Sequence, residues 1–319
     1  MPLPHPDTLV SLGHWLKGTG YQFTTVTPAT HTRVNARHEG REALCLRDVF
    51  GWSQPFAAGL LPAQALGWMR EGGLLEELGE SLRSKVRFST LHSQLYAHSA
   101  FPTTQADAVF FGPDTCRFTA LIEAELARQP LQPGARILDI GCGAGPGGMA
   151  AALASKALQP ELLLADINAQ ALRFARANAE LAGLPDTCFQ QADLFDSLEG
   201  CFTLIVANPP YLLDAGERMY RHGGGAFGSG LSLRIVEEGL PYLAPGGRLV
   251  LYTGASIIEG QDIFRHAVTP LLLQAGVPFS YRELDPDVFG EELDDPAYVQ
   301  VERIAAVALV AQKPTRPAP

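Results

Sequence analysis

The pattern of apolar and polar positions changes character near residue 105. Before that point, Pro6–Lys17 carries apolar residues at helical spacing behind Asp7 or Thr8, either of which suits an N-cap. Leu46–Ala58 is a short apolar segment broken by Gly51 and Pro55. Leu61–Leu78 sets Leu66, Met69, Leu74, Leu75 and Leu78 on or near one helical face and predicts a helix with a weak point at Gly72-Gly73. Lys85–Phe101 alternates as two strands, through Val86, Phe88 and Thr90, then Leu95, Tyr96 and His98. Helices followed by a hairpin predict a small α+β module over residues 1–105. A winged-helix-like reader of substrate and a cap that only packs on its neighbour fit this pattern equally.

From Arg136 onward, short apolar strands alternate with helices, the pattern of a parallel α/β sheet. Strands are expected at Ile137–Ile140, Leu162–Ala165, Cys188–Gln191, Leu204–Ala207 and Arg248–Thr253. Helices are expected at Gly148–Leu158, Ala169–Leu184 and Ser232–Tyr242, with a turn at Pro245-Gly246-Gly247. Phe279–Leu284 and Arg303–Gln312 lie close enough in sequence to pair as an antiparallel edge. The fold class is therefore α/β, a Rossmann-like, mostly parallel sheet with an antiparallel edge strand over residues 106–312. The proline-rich stretch 313–319 reads as a frayed tail.

Composition narrows the classes. With 46% hydrophobic and 18% charged residues, the 319-residue chain has material for a large core and is neither disordered nor a disulfide-stapled scaffold. No apolar run approaches bilayer length, and Met1–Pro6 lacks a basic, apolar leader, so neither membrane nor secretion is expected. The five cysteines are scattered without a C-x-x-C pair and predict free thiols in a cytoplasmic setting, with no metal site. Basic and acidic residues balance through Val109, so the net charge of −10 sits in the α/β part. That acidity argues against autonomous, non-specific nucleic-acid binding.

Candidate chemistry gathers at the strand ends. Ile137–Ile140 runs into Gly141-Cys142-Gly143-Ala144-Gly145, then Pro146 and a helix. Glycines there let backbone approach a ligand, beside the unpaired N–H groups of a helix start. The spacing is G-x-G-x-G, and the third glycine of a dinucleotide fingerprint would fall on Pro146. Asp139, just before the loop, would repel a pyrophosphate but suits a ligand with a cationic amino group, such as S-adenosyl-L-methionine. Asp166, followed by Ile167, ends the next strand, where α/β enzymes place ribose-binding acids. Asp193 follows the third strand and can accept from an adenine amino group, with Leu194 and Phe195 as an apolar floor. Acids at three successive strand ends make the candidate cofactor set Asp139, Gly141, Cys142, Gly143, Gly145, Asp166, Ile167, Asp193 and Leu194. A nicotinamide dehydrogenase is disfavoured by Pro146 and by the absence of an evident hydride-transfer acid.

The most specific element is Asn208-Pro209-Pro210-Tyr211, after strand Leu204–Ala207. Two prolines fix φ twice and leave carbonyls with no local donor. Asn208 adds a side-chain carbonyl and Tyr211 a flat wall, which together make a socket for a planar NH₂ group. Asn208, Pro209, Pro210 and Tyr211 are the catalytic candidates, with Asn208 also placed to touch the cofactor.

On these residues the chain resembles class I S-adenosylmethionine-dependent methyltransferases over roughly residues 108–312. The Asn-Pro-Pro-Tyr turn is similar to that of the amino-methylating branch, which modifies exocyclic base nitrogens or the side-chain amide of glutamine. Phe111-Gly112-Pro113-Asp114-Thr115 and the segment Gly223–Leu231 resemble the glutamine N5-methyltransferases of peptide-release factors (the HemK/PrmC type). Aspartate stands at Asp114 where that family has glutamate, and Ser229 where it usually has aspartate; the acidic Asp287–Leu293 has no family counterpart. The resemblance implies methyl transfer from S-adenosyl-L-methionine to a protein glutamine, with a release factor as partner, or alternatively to an amine of adenine or guanine in RNA or DNA.

Overall fold

The computed structural model describes residues 7–37, 40–214 and 218–315. Its first module holds helices α1 (Thr8–Gly18), α2 (Pro28–Ala36), α3 (Leu46–Phe50) and α4 (Ala63–Glu71). Its strands are β1 (Phe56–Ala57), β2 (Leu75–Leu78), β3 (Ser81–Ser84), β4 (Val86–Leu91) and β5 (Gln94–Ser99). Asp7 caps α1 by accepting from the Leu9 N–H at 2.8 Å. Pro6 and residues 316–319 of the expected tail lie outside the described residues.

The expected helix Leu61–Leu78 is a helix and a strand. α4 stops at Gly72, Gly73 turns the chain at φ +65°, and Leu75–Leu78 pairs antiparallel with Ser81–Ser84. The apolar residues that fit a helical face are reused at strand spacing, a tertiary choice that periodicity alone does not reveal. The hairpin following α4 is thus β2–β3, in a sheet ordered β1-β3-β2, while Lys85–Phe101 supplies a second, separate hairpin, β4–β5.

The second part comprises helices α5 (Pro113–Arg128), α6 (Pro146–Ala154), α7 (Ala169–Leu181), α8 (Gly230–Gly239) and α9 (Ile263–Gln274). Its strands are β6 (Arg136–Ile140), β7 (Glu161–Asp166), β8 (Cys188–Gln191), β9 (Phe202–Ala207), β10 (Leu243–Ile258), β11 (Gln261–Asp262), β12 (Phe279–Asp285) and β13 (Arg303–Gln312). The main path runs β12-β13-β10-β9-β6-β7-β8, parallel from β10 to β8 and antiparallel at β13. Arg303–Gln312 is an interior strand, and β12 takes the edge. The almost unbroken apolar run of Arg303–Gln312 is what a strand covered on both faces requires. Pro245-Gly246-Gly247 falls inside β10, where the register against β9 slips between Leu243 and Arg248. Helix α9 was not expected; Pro270 in its interior masks the periodicity.

Alternate residues of the sheet feed two apolar clusters. Leu138, Ile140, Ile205, Leu249 and Phe264 lie on one side. The other cluster runs without a break from Leu9, Phe50 and Phe88 of the first module through Phe174 to Ile137 and Leu204. No helix is long and apolar enough to cross a membrane among the described residues. The same residues hold no group of three or more His, Cys, Asp or Glu able to bind a metal.

Candidate functional site

The chain order places β7 and β8 on one side of β6 and β9 on the other, a topological switch point where α/β sheets bind ligands. A cavity of about 430 Å³ opens there, at the carboxyl ends of these strands. Every candidate residue lines it except Gly145. Gly145 sits behind the wall, with φ +84° at the start of α6, and a Cβ there would collide with the Met149 side chain.

At one end the polar groups are carboxylates held by backbone. Asp139 is buried and accepts from the Gly148 N–H of α6 at 2.7 Å. Burial pushes its carboxyl up to about 7; the Gly148 bond pulls it down and the nearby Asp166 charge adds to the rise. Asp166 accepts from Gly143 N–H at 2.7 Å and from Asn168 N–H at 2.8 Å, so it ties the glycine loop to the start of α7. Its carboxyl is also raised by burial, against the pull of those N–H groups. Asp193 is about half exposed, with Arg234 at 3.7 Å. Ile167 is 51% exposed at the cavity wall, a large apolar side chain left uncovered by protein.

At the other end stands the Asn208–Tyr211 turn. The glycine segment after it is its brace: Gly223 N–H donates to Leu212 O at 2.8 Å, and Leu231 N–H to Gly223 O at 2.8 Å. Gly228, at φ +84°, lies so close to the Tyr211 carbonyl that no Cβ would fit. The Tyr211 ring packs against Tyr252 and edge-on to Phe289, with centroids 6.4 and 5.9 Å away. Its hydroxyl is buried without a hydrogen-bond partner among the described residues, and burial beside Asp114 raises its pKa well above the ordinary tyrosine value.

Three parts of this end were not among the candidate site residues read from the sequence. Asp114 accepts from Tyr252 O–H at 2.6 Å and pairs with Arg117, which reaches on to Asp285 at 2.8 Å. Phe289, from the acidic segment, forms part of the cavity wall, and Glu292 beside it pairs with Arg221. Arg218 and Arg221, both on the wall, converge on Asp214, whose carboxyl the Arg218 side-chain hydrogen bond pulls down to about 2. The first module contributes wall residues too, among them Pro28, Phe101 and Pro102. Of these, Asp114 and the acidic 287–293 segment stood out in the sequence, though without a site role; the others meet the site from distant positions in the chain.

The residues fit an adenosyl sulfonium ligand. The cavity volume lies within the usual range for small-molecule sites. Acids at the ends of β6, β7 and β8 offer acceptors for ammonium, ribose and adenine groups, and Ile167 and Leu194 offer apolar surface.

Comparison with known proteins places the chain among methyltransferases. The Methyltransferase small domain family matches residues 119–257. The release factor glutamine methyltransferase of Yersinia pestis is 39% identical over 252 residues, covering 76% of this chain and 85% of that protein. The Deinococcus radiodurans protein of the same description is 36% identical over 47% of this chain and 55% of its own length. A ribosomal RNA small subunit methyltransferase C from Salmonella arizonae is 37% identical over 34% of this chain and 32% of that protein. In fold, the chain is similar to a solved Pyrococcus horikoshii transferase, with a TM-score of 0.50 and 11% identity over 78% of this chain and 81% of that one.

Proposed function

The chain belongs to the family of release factor glutamine methyltransferases, and we propose that, within S-adenosylmethionine-dependent methylation, its acceptor is the side-chain amide of a protein glutamine. The observation that carries this is the charge state of the acceptor end. The two arginines on that wall, Arg218 and Arg221, are both spent on Asp214 and Glu292. A phosphodiester needs free cations near its reacting base, and the described wall offers none there. A neutral amide needs only acceptors and an apolar slot. The relative with 39% identity, named for glutamine methylation, supports the same reading.

S-adenosyl-L-methionine, when bound, supplies a methyl group activated by a sulfonium. Asp139, Asp166 and Asp193, with the Gly141–Ala144 backbone, hold it in this reading. Amide nitrogen is a weak nucleophile because its lone pair is delocalised. The Asn208 side-chain oxygen and the Pro209 carbonyl accept its two N–H bonds, orient the lone pair and favour its localisation as the new bond forms. Tyr211, Phe289 and the prolines exclude water and fix the amide plane. The surplus proton leaves after transfer.

The test is tritiated methyl transfer from S-adenosylmethionine into a cell extract, divided between protease and nuclease. Label released by protease alone is the expected result. Label released by nuclease alone would assign the enzyme to a base amine and overturn the proposal.

A further inference from the structure

Asn178 lies on α7, fully buried, and every hydrogen-bonding group of its carboxamide is in use. Its Oδ1 accepts from Ala97 N–H at 2.7 Å, and its Nδ2 donates to Ala97 O and to Ala144 O, both at 3.0 Å. Ala97 belongs to β5 in the first module; Ala144 is in the glycine loop and on the cavity wall. Strand β5 pairs with β4 on one side only, so its other edge presents an N–H and a C=O that need partners. One asparagine satisfies both, and its second amino hydrogen holds the loop carbonyl.

Other links run the same way. Asn168, the N-cap of α7, donates to Asp107 O at 2.9 Å, in the segment that leads out of the first module, while its own N–H binds Asp166. Lys17 of α1 donates to Leu181 O at the far end of α7, and Arg173 donates to Gly72 O at 3.2 Å. Helix α7 therefore contacts the first module at several points along its length and begins three residues after Asp166.

We infer that the first module is part of the cofactor site, with Asn178 as a positioning residue that sets the glycine loop against hairpin β4–β5. This rests on the adenosyl-ligand reading of the cavity. Cofactor binding and hairpin order are then coupled, and the coupling is reciprocal.

The test uses the full chain with S-adenosylhomocysteine as probe. Binding is measured by calorimetry for wild type, Asn178→Ala and Asn178→Asp, with Leu172→Ala as a control that removes buried apolar volume from the same helix at a side chain that neither lines the cavity nor hydrogen-bonds the loop. Asn178→Asp keeps the volume and the oxygen that accepts from Ala97 N–H but loses the amide donors to Ala97 O and Ala144 O, and it carries the test if Asn178→Ala does not fold. Both Asn178 variants are expected to weaken binding about tenfold through unpaired buried groups, with kcat at saturating cofactor within about twofold. Amide exchange at Ala97 should slow on probe binding in wild type and respond less in the variants. Leu172→Ala should lower Tm with affinity unchanged. Unchanged affinity in the Asn178 variants, or affinity that falls with Tm along the same line as in Leu172→Ala, overturns the inference. Absence of probe binding by the wild-type chain overturns the cofactor reading and this inference with it.

Discussion

The two ends of the cavity hold their polar groups in different ways. At the cofactor end, Asp139 and Asp166 accept from backbone N–H groups 9 and 23 residues away, inside consecutive strand–loop–helix units. At the acceptor end, the bonds behind the Asn208–Tyr211 turn join side chains across the whole fold: Tyr252 to Asp114 over 138 residues, Arg117 to Asp285 over 168, and Arg221 to Glu292 over 71. In the proposed reading, a cradle of local backbone serves a ligand shared by many enzymes. Long-range packing can shape the other end for one acceptor without disturbing the first, so the two ends should fail separately.

The sharpest way to separate them is Asn208→Ala. Loss of an acceptor used mainly in the transition state should lower kcat by about 10²–10³. Cofactor affinity should stay within about threefold of wild type by calorimetry, since the cradle acids are untouched. Asp166→Ala should do the reverse and weaken cofactor binding by about ten- to a hundredfold, the worth of charge-assisted hydrogen bonds. Unchanged affinity would remove Asp166 from the ribose role.

Asp139 gives a pH-dependent comparison. Its folded carboxyl titrates at about 7, above the ordinary 3.8, so its stability contribution is complete at low pH and is lost as pH rises through about 7. Asp139→Asn, which keeps an acceptor for Gly148, should therefore raise Tm at mildly alkaline pH, with the gain closing as pH falls toward the ordinary carboxylate range. If the ionised form attracts a cationic cofactor, wild-type affinity should fall several-fold as pH drops below about 7, while Asp139→Asn shows no such step. A pH-independent wild-type affinity would contradict that role.

The smallest effect is expected from Tyr211→Phe. Among the described residues the hydroxyl is buried without a hydrogen-bond partner, beside Asp114, so its removal should leave stability unchanged or raise it. Turnover should stay within about twofold if the ring alone forms the wall. A hundredfold loss would give the hydroxyl a part in the reaction.

The same contrast explains what the chain reveals before folding. The strand ends, the glycine loop and the three acids could be read because each lies within one local unit whose hydrophobic period and turn residues declare it. The Asn208–Tyr211 turn was legible because double proline is so restrictive. Phe289, Glu292 and Tyr252 were not, since their roles arise only when β10, β13 and the 287–293 segment are brought beside α5 and the turn. Leu61–Leu78 was misread for a related reason: its leucines satisfy two periods, and only pairing with Ser81–Ser84 decides between them.

The central claim is that the acceptor end holds the two hydrogens of a primary amide. Fragmentation mass spectrometry of protein labelled by the purified enzyme locates the methyl group directly. The account predicts it on the side-chain nitrogen of a glutamine. A methyl group on a carboxylate, on a lysine amine or on a nucleobase would contradict it.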